Sequence, residues 1–183
     1  MFNAIFGFIF EQMHLHWGEK DDHGSEHVID GKIFSGEIHL VHFNSKYGDF
    51  DTAANHRDGL VVVAFFIQAK GDKKNKMFAK ITDQIPNARE LHAKSFLAAD
   101  CLKWMSTQEL DKHYFMYHGS LTTPPYSEAV TWIIYRKPIH VSKQQIAAFR
   151  KLRAADNIHQ ITKNRRQLQT PHKRLTVIFA GKP

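Results

Sequence analysis

The pattern of apolar and polar positions along this chain is mainly that of β-strands. Apolar residues alternate with polar ones or form short runs in six segments, at residues 5–17, 33–43, 59–69, 114–119, 129–135 and 175–180. The segment after Gly59 is almost continuously apolar, which is typical of a central strand that is buried on both faces. We therefore predict a mainly β fold built around a sheet.

One segment has clear helical periodicity, and it follows Ser142. Ser142 and Gln145 have the spacing of a capping box, in which each residue satisfies a backbone N–H of the other. The residues predicted to lie on its apolar face are Ile146, Phe149 and Leu152. Proline disrupts strands, so we expect Pro138 and the pair Pro124-Pro125 to divide the strands with loops.

Composition narrows the class of protein. A chain of 183 residues that is 43% hydrophobic is sufficient for one domain, residues 1–183, with a substantial core. The net charge of +7 is scattered, and its densest cluster, residues 70–76, has the character of a solvated turn, so we expect no nucleic-acid partner. No stretch has the length of a membrane span. The single cysteine, Cys101, excludes an intrachain disulfide and favours a cytoplasmic location.

Histidine spacing provides the first candidate chemistry. His14 and His16 are one residue apart in a predicted strand, so their side chains point to the same face. If the strand that carries His39 lies beside them, three imidazole nitrogens can converge on one point. Three such ligands with a fourth position open are the coordination set of a catalytic zinc ion.

Each histidine strand also places a polar partner on the same face. Gln12 precedes His14 by two residues, and Glu37 precedes His39 by two residues. A metal-bound histidine usually donates its second N–H to such a group, which fixes the orientation of the ring. Val41, on the same face, would add an apolar wall suited to a small neutral substrate.

The spacing alone leaves alternatives open. A His-x-His pair on a strand also occurs in double-stranded β-helix oxygenases and amidohydrolase barrels, and histidines on a half-buried strand are often hydrogen-bonded core residues. Zinc, another metal and no metal all remain compatible with it. The chain lacks His-Glu-x-x-His, Gly-x-Ser-x-Gly and a glycine-rich phosphate loop, which argues against a helical metalloprotease, a serine hydrolase and a nucleotide-binding site.

Several ordered motifs extend nearly from end to end of the chain. They are residues 12–18 (QMHLHWG), 24–27 (GSEH), 37–44 (EIHLVHFN), 47–50 (YGDF), 58–60 (DGL), 119–128 (GSLTTPPYSE), 130–132 (VTW) and 149–152 (FRKL). On these motifs the chain resembles an α-class carbonic anhydrase of the animal type. The resemblance implies a mainly β (α+β) fold with a large, twisted, mostly antiparallel central sheet and a few surface helices.

The same resemblance implies a zinc enzyme that reversibly hydrates carbon dioxide to bicarbonate and a proton by attack of zinc-bound hydroxide. It further implies sensitivity to sulfonamide-type inhibitors and a monomer. Family members carry a substantial segment before the His-x-His strand, including strands and a proton-shuttling histidine. We expect these to be missing here, and we therefore expect turnover that depends on the buffer to carry protons away.

Residue roles follow from the matched motifs. The resemblance assigns zinc to His14, His16 and His39, with Gln12 and Glu37 as their hydrogen-bond partners. Thr122 would accept a hydrogen bond from the hydroxide and donate its own proton to Glu26, and Thr123 would help the Thr122 backbone N–H to place bicarbonate. The apolar residues expected around carbon dioxide are Val41, Val62, Leu121, Val130 and Trp132. His27 and His42 match structural histidines.

Two other functions are alternatives to an active carbonic anhydrase. The first is an inactive or weakly active binding or interaction protein on the same scaffold, although all three zinc ligands are present. The second is a cupin-like metal oxygenase, which leaves the loop Thr122-Thr123-Pro124-Pro125 unexplained.

Overall fold

The fold is built around a single sheet. The computed structural model describes residues 7–108, 113–170 and 176–180. The strands are β1 (Phe8–Trp17), β2 (Gly36–Asn44), β3 (Leu60–Ala69), β4 (Tyr114–Gly119), β5 (Val130–Val141) and β6 (Ile178–Ala180). The helices are α1 (Phe50–Ala53), α2 (Lys76–Thr82) and α3 (Lys143–Phe149), with short 3-10 helices at Ser45–Tyr47, Ile85–Ala88 and Lys103–Thr107.

The sheet is mostly antiparallel, as predicted. Its order is β1-β2-β3-β5-β4-β6, and among these described strands only β3 and β5 pair in parallel. The apolar run after Gly59 forms β3, which lies inside the sheet and is buried along most of its length. The fold class expected from the sequence is therefore confirmed.

Two apolar clusters cover the two faces of the sheet. Ile38 and Leu40 of β2 belong to one cluster, together with Trp104, whereas Val41 and Trp132 belong to the other. Alternation along a strand explains this division, because neighbouring residues point to opposite faces. The histidine face lies on the side of the second cluster, since the rings of His39 and Trp132 are 4.8 Å apart.

A bulge in β1 separates its exposed beginning from its histidines. Phe10 lies opposite His42 and Gln12 lies opposite Val41, so Glu11 is the extra residue in the ladder. An extra residue reverses the alternation of the side chains that follow it. Consequently Phe10 packs against the His42 ring at 5.5 Å, on the face opposite to that of His14.

Pro138 does not end its strand, so that expectation is wrong. β5 continues to Val141, beyond the predicted end at Tyr135. Tyr135 lies opposite Phe65 and Ile139 lies opposite Ile67, so β5 has three residues where β3 has one. Proline is tolerated at such a bulge because its missing N–H interrupts no regular ladder bond there.

The predicted helix after Ser142 is confirmed as α3. The Ser142 side chain accepts a hydrogen bond from the Gln145 N–H, and the Gln145 side chain accepts one from the Ser142 N–H. Ile146 and Phe149 are buried, and Leu152 packs against the same cluster just beyond the helix. Within the described ranges, no helix has the length and hydropathy that crossing a membrane requires.

Candidate metal centre

Pairing of β1 with β2 brings the three predicted ligands together. His14 lies directly opposite His39, and His16 lies two residues further along the same face of β1. Each of the three histidines offers a ring nitrogen, and these nitrogens lie within 4.8 Å of one another. His16 and His39 are buried, whereas His14 is partly exposed. The cluster expected from the sequence is therefore present.

Hydrogen bonds outside the cluster define which nitrogen each histidine can present. His14 Nδ1 donates to Gln12 Oε1 at 3.2 Å, and His39 Nε2 donates to Glu37 Oε1 at 2.8 Å. His16 Nδ1 donates to the backbone carbonyl of Asn164 at 3.0 Å. Since these partners act as acceptors, the lone pairs left for a metal are Nε2 of His14, Nε2 of His16 and Nδ1 of His39.

A carboxylate faces two of these free nitrogens. Glu26 Oε2 lies 3.3 Å from His16 Nε2 and 4.0 Å from His39 Nδ1. His16 Nε2 and Glu26 Oε2 are both buried, and neither has a hydrogen-bond partner among the described residues. Buried polar atoms without a partner are costly, so each such atom calls for an explanation, such as a ligand absent from the structure.

Burial keeps two of the histidines neutral. Burial, with the nearby charge of His16, lowers the pKa of His14 to about 4. Burial also lowers the pKa of His39 to about 3, against the opposing effect of its hydrogen bond to Glu37. Both rings are therefore unprotonated at neutral pH, which is the form that binds a metal.

Glu37 joins the cluster to a second hydrogen-bonded group. Its Oε2 accepts the backbone N–H groups of Glu26 and His27 at 3.0 and 2.8 Å, and its Oε1 accepts from the rings of His27 and His39. Burial would raise the pKa of Glu37, but His27 and His39 hold it well below its ordinary value. His27, Glu37 and His39 also lie close enough to hold a metal, yet these bonds already occupy the carboxylate.

The segment from Ile161 to Arg166 lies against the end of β1. The Ile161 carbonyl accepts from the indole of Trp17 at 2.7 Å. The Asn164 side chain accepts from the Trp17 N–H at 2.8 Å and donates to the Leu15 carbonyl at 2.8 Å. These contacts place the Asn164 carbonyl next to His16. Sequence reasoning missed this partner, since nearly the whole described chain separates the two residues.

Glu26 is held in place from two sides. Its Oε1 accepts the backbone N–H of Arg166 at 2.7 Å, while its own N–H is bound to Glu37. Gly24 lies two residues before Glu26 and packs against Ser35, the residue just before β2. A Cβ at position 24 would come within 1.9 Å of the Ser35 carbonyl oxygen. Glycine at this position is therefore what allows the turn to bring Glu26 to the histidines.

Comparison with known proteins agrees with this geometry. The family model for eukaryotic-type carbonic anhydrase matches residues 4–179. The chain belongs to the eukaryotic-type carbonic anhydrase family. The resemblance noted from the sequence motifs is therefore confirmed.

Individual relatives show how much of the family domain is represented. Carbonic anhydrase 1 of Monodelphis domestica is 45% identical over 146 residues, which is 79% of this chain and 54% of the relative. Carbonic anhydrase 7 of Mus musculus is 45% identical over 78% of this chain and 53% of the relative. Carbonic anhydrase 3 of Sus scrofa is 40% identical over 77% of the chain and 53% of the relative. The chain spans about half the length of these relatives.

The remaining predicted site residues form two groups. The apolar residues expected to receive carbon dioxide belong to one cluster, in which Leu121 is partly buried and the others are buried: Val41, Val62, Leu121, Val130 and Trp132. Thr122 is half-buried and Thr123 is exposed. Among the described residues, no hydrogen bond joins Thr122 to Glu26, so the structure brings Glu26, but not the Thr122 hydroxyl, into the hydrogen-bonded network.

Proposed function

We propose that this chain is a zinc-dependent carbonic anhydrase that catalyses the reversible hydration of carbon dioxide to bicarbonate and a proton. The observation that carries the proposal is the geometry around Glu26. Its Oε2 atom and the Nε2 atom of His16 face each other while buried, and neither has a hydrogen-bond partner among the described residues. Family membership supports the same activity.

The donor set fits zinc. Three neutral imidazoles with a fourth position open are the ligand set of a catalytic zinc ion, and each ring here has a hydrogen-bond partner on its other nitrogen. His14 and His16 would bind through Nε2, and His39 would bind through Nδ1. When bound, zinc would supply the Lewis acidity that generates hydroxide from water near neutral pH.

Glu26 is suited to orient the attacking oxygen through Thr122. The Glu26 carboxylate has Oε1 bound to the Arg166 N–H, which leaves Oε2 able to accept a hydrogen bond from a hydroxyl. In the proposed enzyme, the Thr122 hydroxyl would donate to Glu26 Oε2, and its own oxygen would accept a hydrogen bond from the reacting oxygen. Such an arrangement would orient a lone pair of the reacting oxygen toward carbon dioxide, while Thr122 stays neutral.

The apolar cluster and the neighbouring loop would handle substrate and product. Carbon dioxide is small and uncharged, so a wall that includes Val41, Val62 and Trp132 can hold it and exclude water. The Thr122 N–H and the Thr123 hydroxyl would donate to bicarbonate. Hydration consumes one water and releases one proton, which must reach solvent before the next turnover. We propose that sulfonamide-type compounds inhibit the enzyme and that it is a cytoplasmic monomer.

Metal content and turnover test this function together. We expect the unaltered chain to bind about one zinc ion and to hydrate carbon dioxide in a stopped-flow assay. His16→Ala removes one buried ligand and should abolish both properties, because two imidazoles bind zinc much more weakly than three. The matched control is His23→Ala, since the His23 side chain is exposed and its ring pairs with the neighbouring Asp22.

A different result would point to the alternative. A folded chain that binds no zinc under these conditions would contradict the enzymatic proposal and favour a binding protein on this scaffold. Turnover that does not respond to added imidazole buffer in a zinc-loaded sample would contradict the expected buffer-dependent proton exit.

A further inference from the structure

A cation–π contact connects two segments beside the candidate centre. The guanidinium carbon of Arg166 lies 4.0 Å from the centre of the Tyr126 ring. Among the described residues, Arg166 forms no ion pair, and its charged group stacks on Tyr126. Arginine over a tyrosine ring is attracted by the negative face of the π system.

Tyr126 ends the loop that carries the two predicted threonines. Its backbone N–H donates to the Thr123 carbonyl at 2.9 Å. Its φ angle is 60°, a left-handed conformation that residues other than glycine rarely adopt. The residue is 42% exposed, and Arg166 covers one side of its ring. The contact with Arg166 therefore helps to hold a loop end whose backbone conformation is unfavourable by itself.

Arg166 also reaches the centre through its backbone. Its N–H donates to Glu26 Oε1 at 2.7 Å. Two residues earlier, the Asn164 carbonyl accepts from His16 Nδ1 at 3.0 Å. One short segment thus contacts a candidate metal ligand, the carboxylate that faces it, and the loop that carries Thr122 and Thr123.

We propose that Arg166 is a positioning residue, which fixes the Thr122–Tyr126 loop relative to Glu26 and His16 by stacking on Tyr126. The inference rests on the proposed function, because it concerns how that site is kept aligned. Glu26 Oε2 can accept from Thr122 only if the loop keeps a constant position relative to Glu26. The sheet holds each side separately, because Glu26 is bonded to Glu37 of β2 and the Ser120 carbonyl before the loop accepts from Trp132 of β5. The stacking contact adds a direct link between the loop and the segment that binds Glu26.

A double-mutant cycle tests the coupling. Arg166→Ala and Tyr126→Ala should each weaken zinc binding, measured by competition with a chelator, by about threefold to tenfold. Each should also lower kcat of the zinc-saturated protein by a similar factor and leave KM nearly unchanged. The double variant should lose no more than either single variant, because both remove the same contact.

Conservative variants separate positioning from general structure. Arg166→Lys keeps a cation and Tyr126→Phe keeps the ring, so both should retain most of the zinc affinity and kcat. Lys163→Ala is the matched control, because Lys163 is a nearby cation in an exposed pair with Glu19. If an alanine variant does not fold, Arg166→Gln, which retains part of the side-chain stem, replaces it in the cycle.

The outcomes distinguish this inference from the proposed function. Effects of Arg166→Ala and Tyr126→Ala that multiply in the double variant would overturn the positioning role, as would unchanged zinc affinity and kcat in both. A protein that binds zinc without hydrating carbon dioxide would contradict the proposed function. In that case the zinc dissociation constants of the same variants would still decide whether Arg166 positions the site.

Discussion

Strands β1 and β2 both supply candidate metal ligands, but they hold them in different ways. β2 lies between two strands and is buried up to its last residue, Asn44. β1 is an edge strand in the described part of the chain, and Ile9 to Gln12 are exposed. The ligand on β2, His39, is therefore flanked by a paired strand on each side, whereas His14 and His16 on β1 are flanked by a paired strand on one side.

The two strands differ correspondingly in what orients their histidines. His39 is fixed by Glu37 on its own strand, and Glu37 is itself fixed by four hydrogen bonds within a fully buried environment. His14 depends on the exposed Gln12, and His16 depends on the carbonyl of Asn164. The interior strand orients its ligand through a buried carboxylate of its own, whereas the edge strand orients His14 through an exposed side chain and His16 only through a partner from elsewhere in the chain.

The largest loss of stability is expected from a substitution in the interior strand β2. Glu37→Ala leaves two backbone N–H groups and two imidazoles without their acceptor in a buried site. We expect the free energy of unfolding, measured with urea, to fall by about 3–5 kcal/mol. Glu37→Gln retains the shape and some acceptor capacity and should lose less. A loss below about 1 kcal/mol for the alanine variant would show that β2 does not depend on this carboxylate.

The pH dependence of stability gives the second largest effect. Unfolded histidine takes up a proton near its ordinary pKa of 6.5, but folded His14 does so only near its lowered pKa of about 4. Protonation between these values favours the unfolded state, so the metal-free chain should lose stability as the pH falls through this window.

Replacing His14 measures how much this residue contributes to the pH dependence of stability. In His14→Gln, the slope of the unfolding free energy against pH near pH 5 should decrease by up to about 1.4 kcal/mol per pH unit. His39, with its pKa lowered to about 3, should continue to contribute a slope of the same sign. An unchanged slope in the variant would mean that His14 titrates normally in the folded chain.

A smaller effect is expected where the distant segment meets β1. Asn164→Ala removes the acceptor of the Trp17 N–H and the donor to the Leu15 carbonyl. We expect a loss of about 1–2 kcal/mol in the free energy of unfolding, together with weaker zinc binding, because the carbonyl that orients His16 becomes less well placed. Lys163→Ala again serves as the control. Unchanged zinc binding would show that the backbone alone holds this segment.

The smallest effect on stability is expected at the exposed partner of His14. Gln12→Ala removes one hydrogen bond in contact with solvent, so the free energy of unfolding should fall by less than about 1 kcal/mol. Zinc affinity should nevertheless fall by about tenfold, because the His14 ring loses the partner that fixes its orientation. Isothermal titration of zinc, with Gln167→Ala as an exposed control, measures this. Equal affinities would show that β1 alone orients His14.

Local patterns were sufficient to locate the six strands, helix α3 and the ligand faces, but not the short helices α1 and α2. Alternation placed His14 and His16 on one face and Glu37 beside His39, and the capping residues of α3 were evident because capping acts over three residues. The prediction that Pro138 ends its strand was wrong because it also used local information alone, namely that proline disrupts a regular hydrogen-bond ladder. The bulge that accommodates it depends on the partner strand β3, which no pattern around Pro138 reveals.

The sequence by itself determined which residues could serve as ligands, because residue type and strand alternation are local properties. Tertiary structure alone decided what holds them. Asn164 reaches His16, Arg166 reaches Glu26 and Tyr126, and Tyr117 donates to the His27 ring at 2.6 Å, all across long separations in the chain. Such contacts depend on how loops pack against the sheet. A side chain that orients a distant residue produces no periodic pattern in the sequence around it, so the sequence alone does not reveal it.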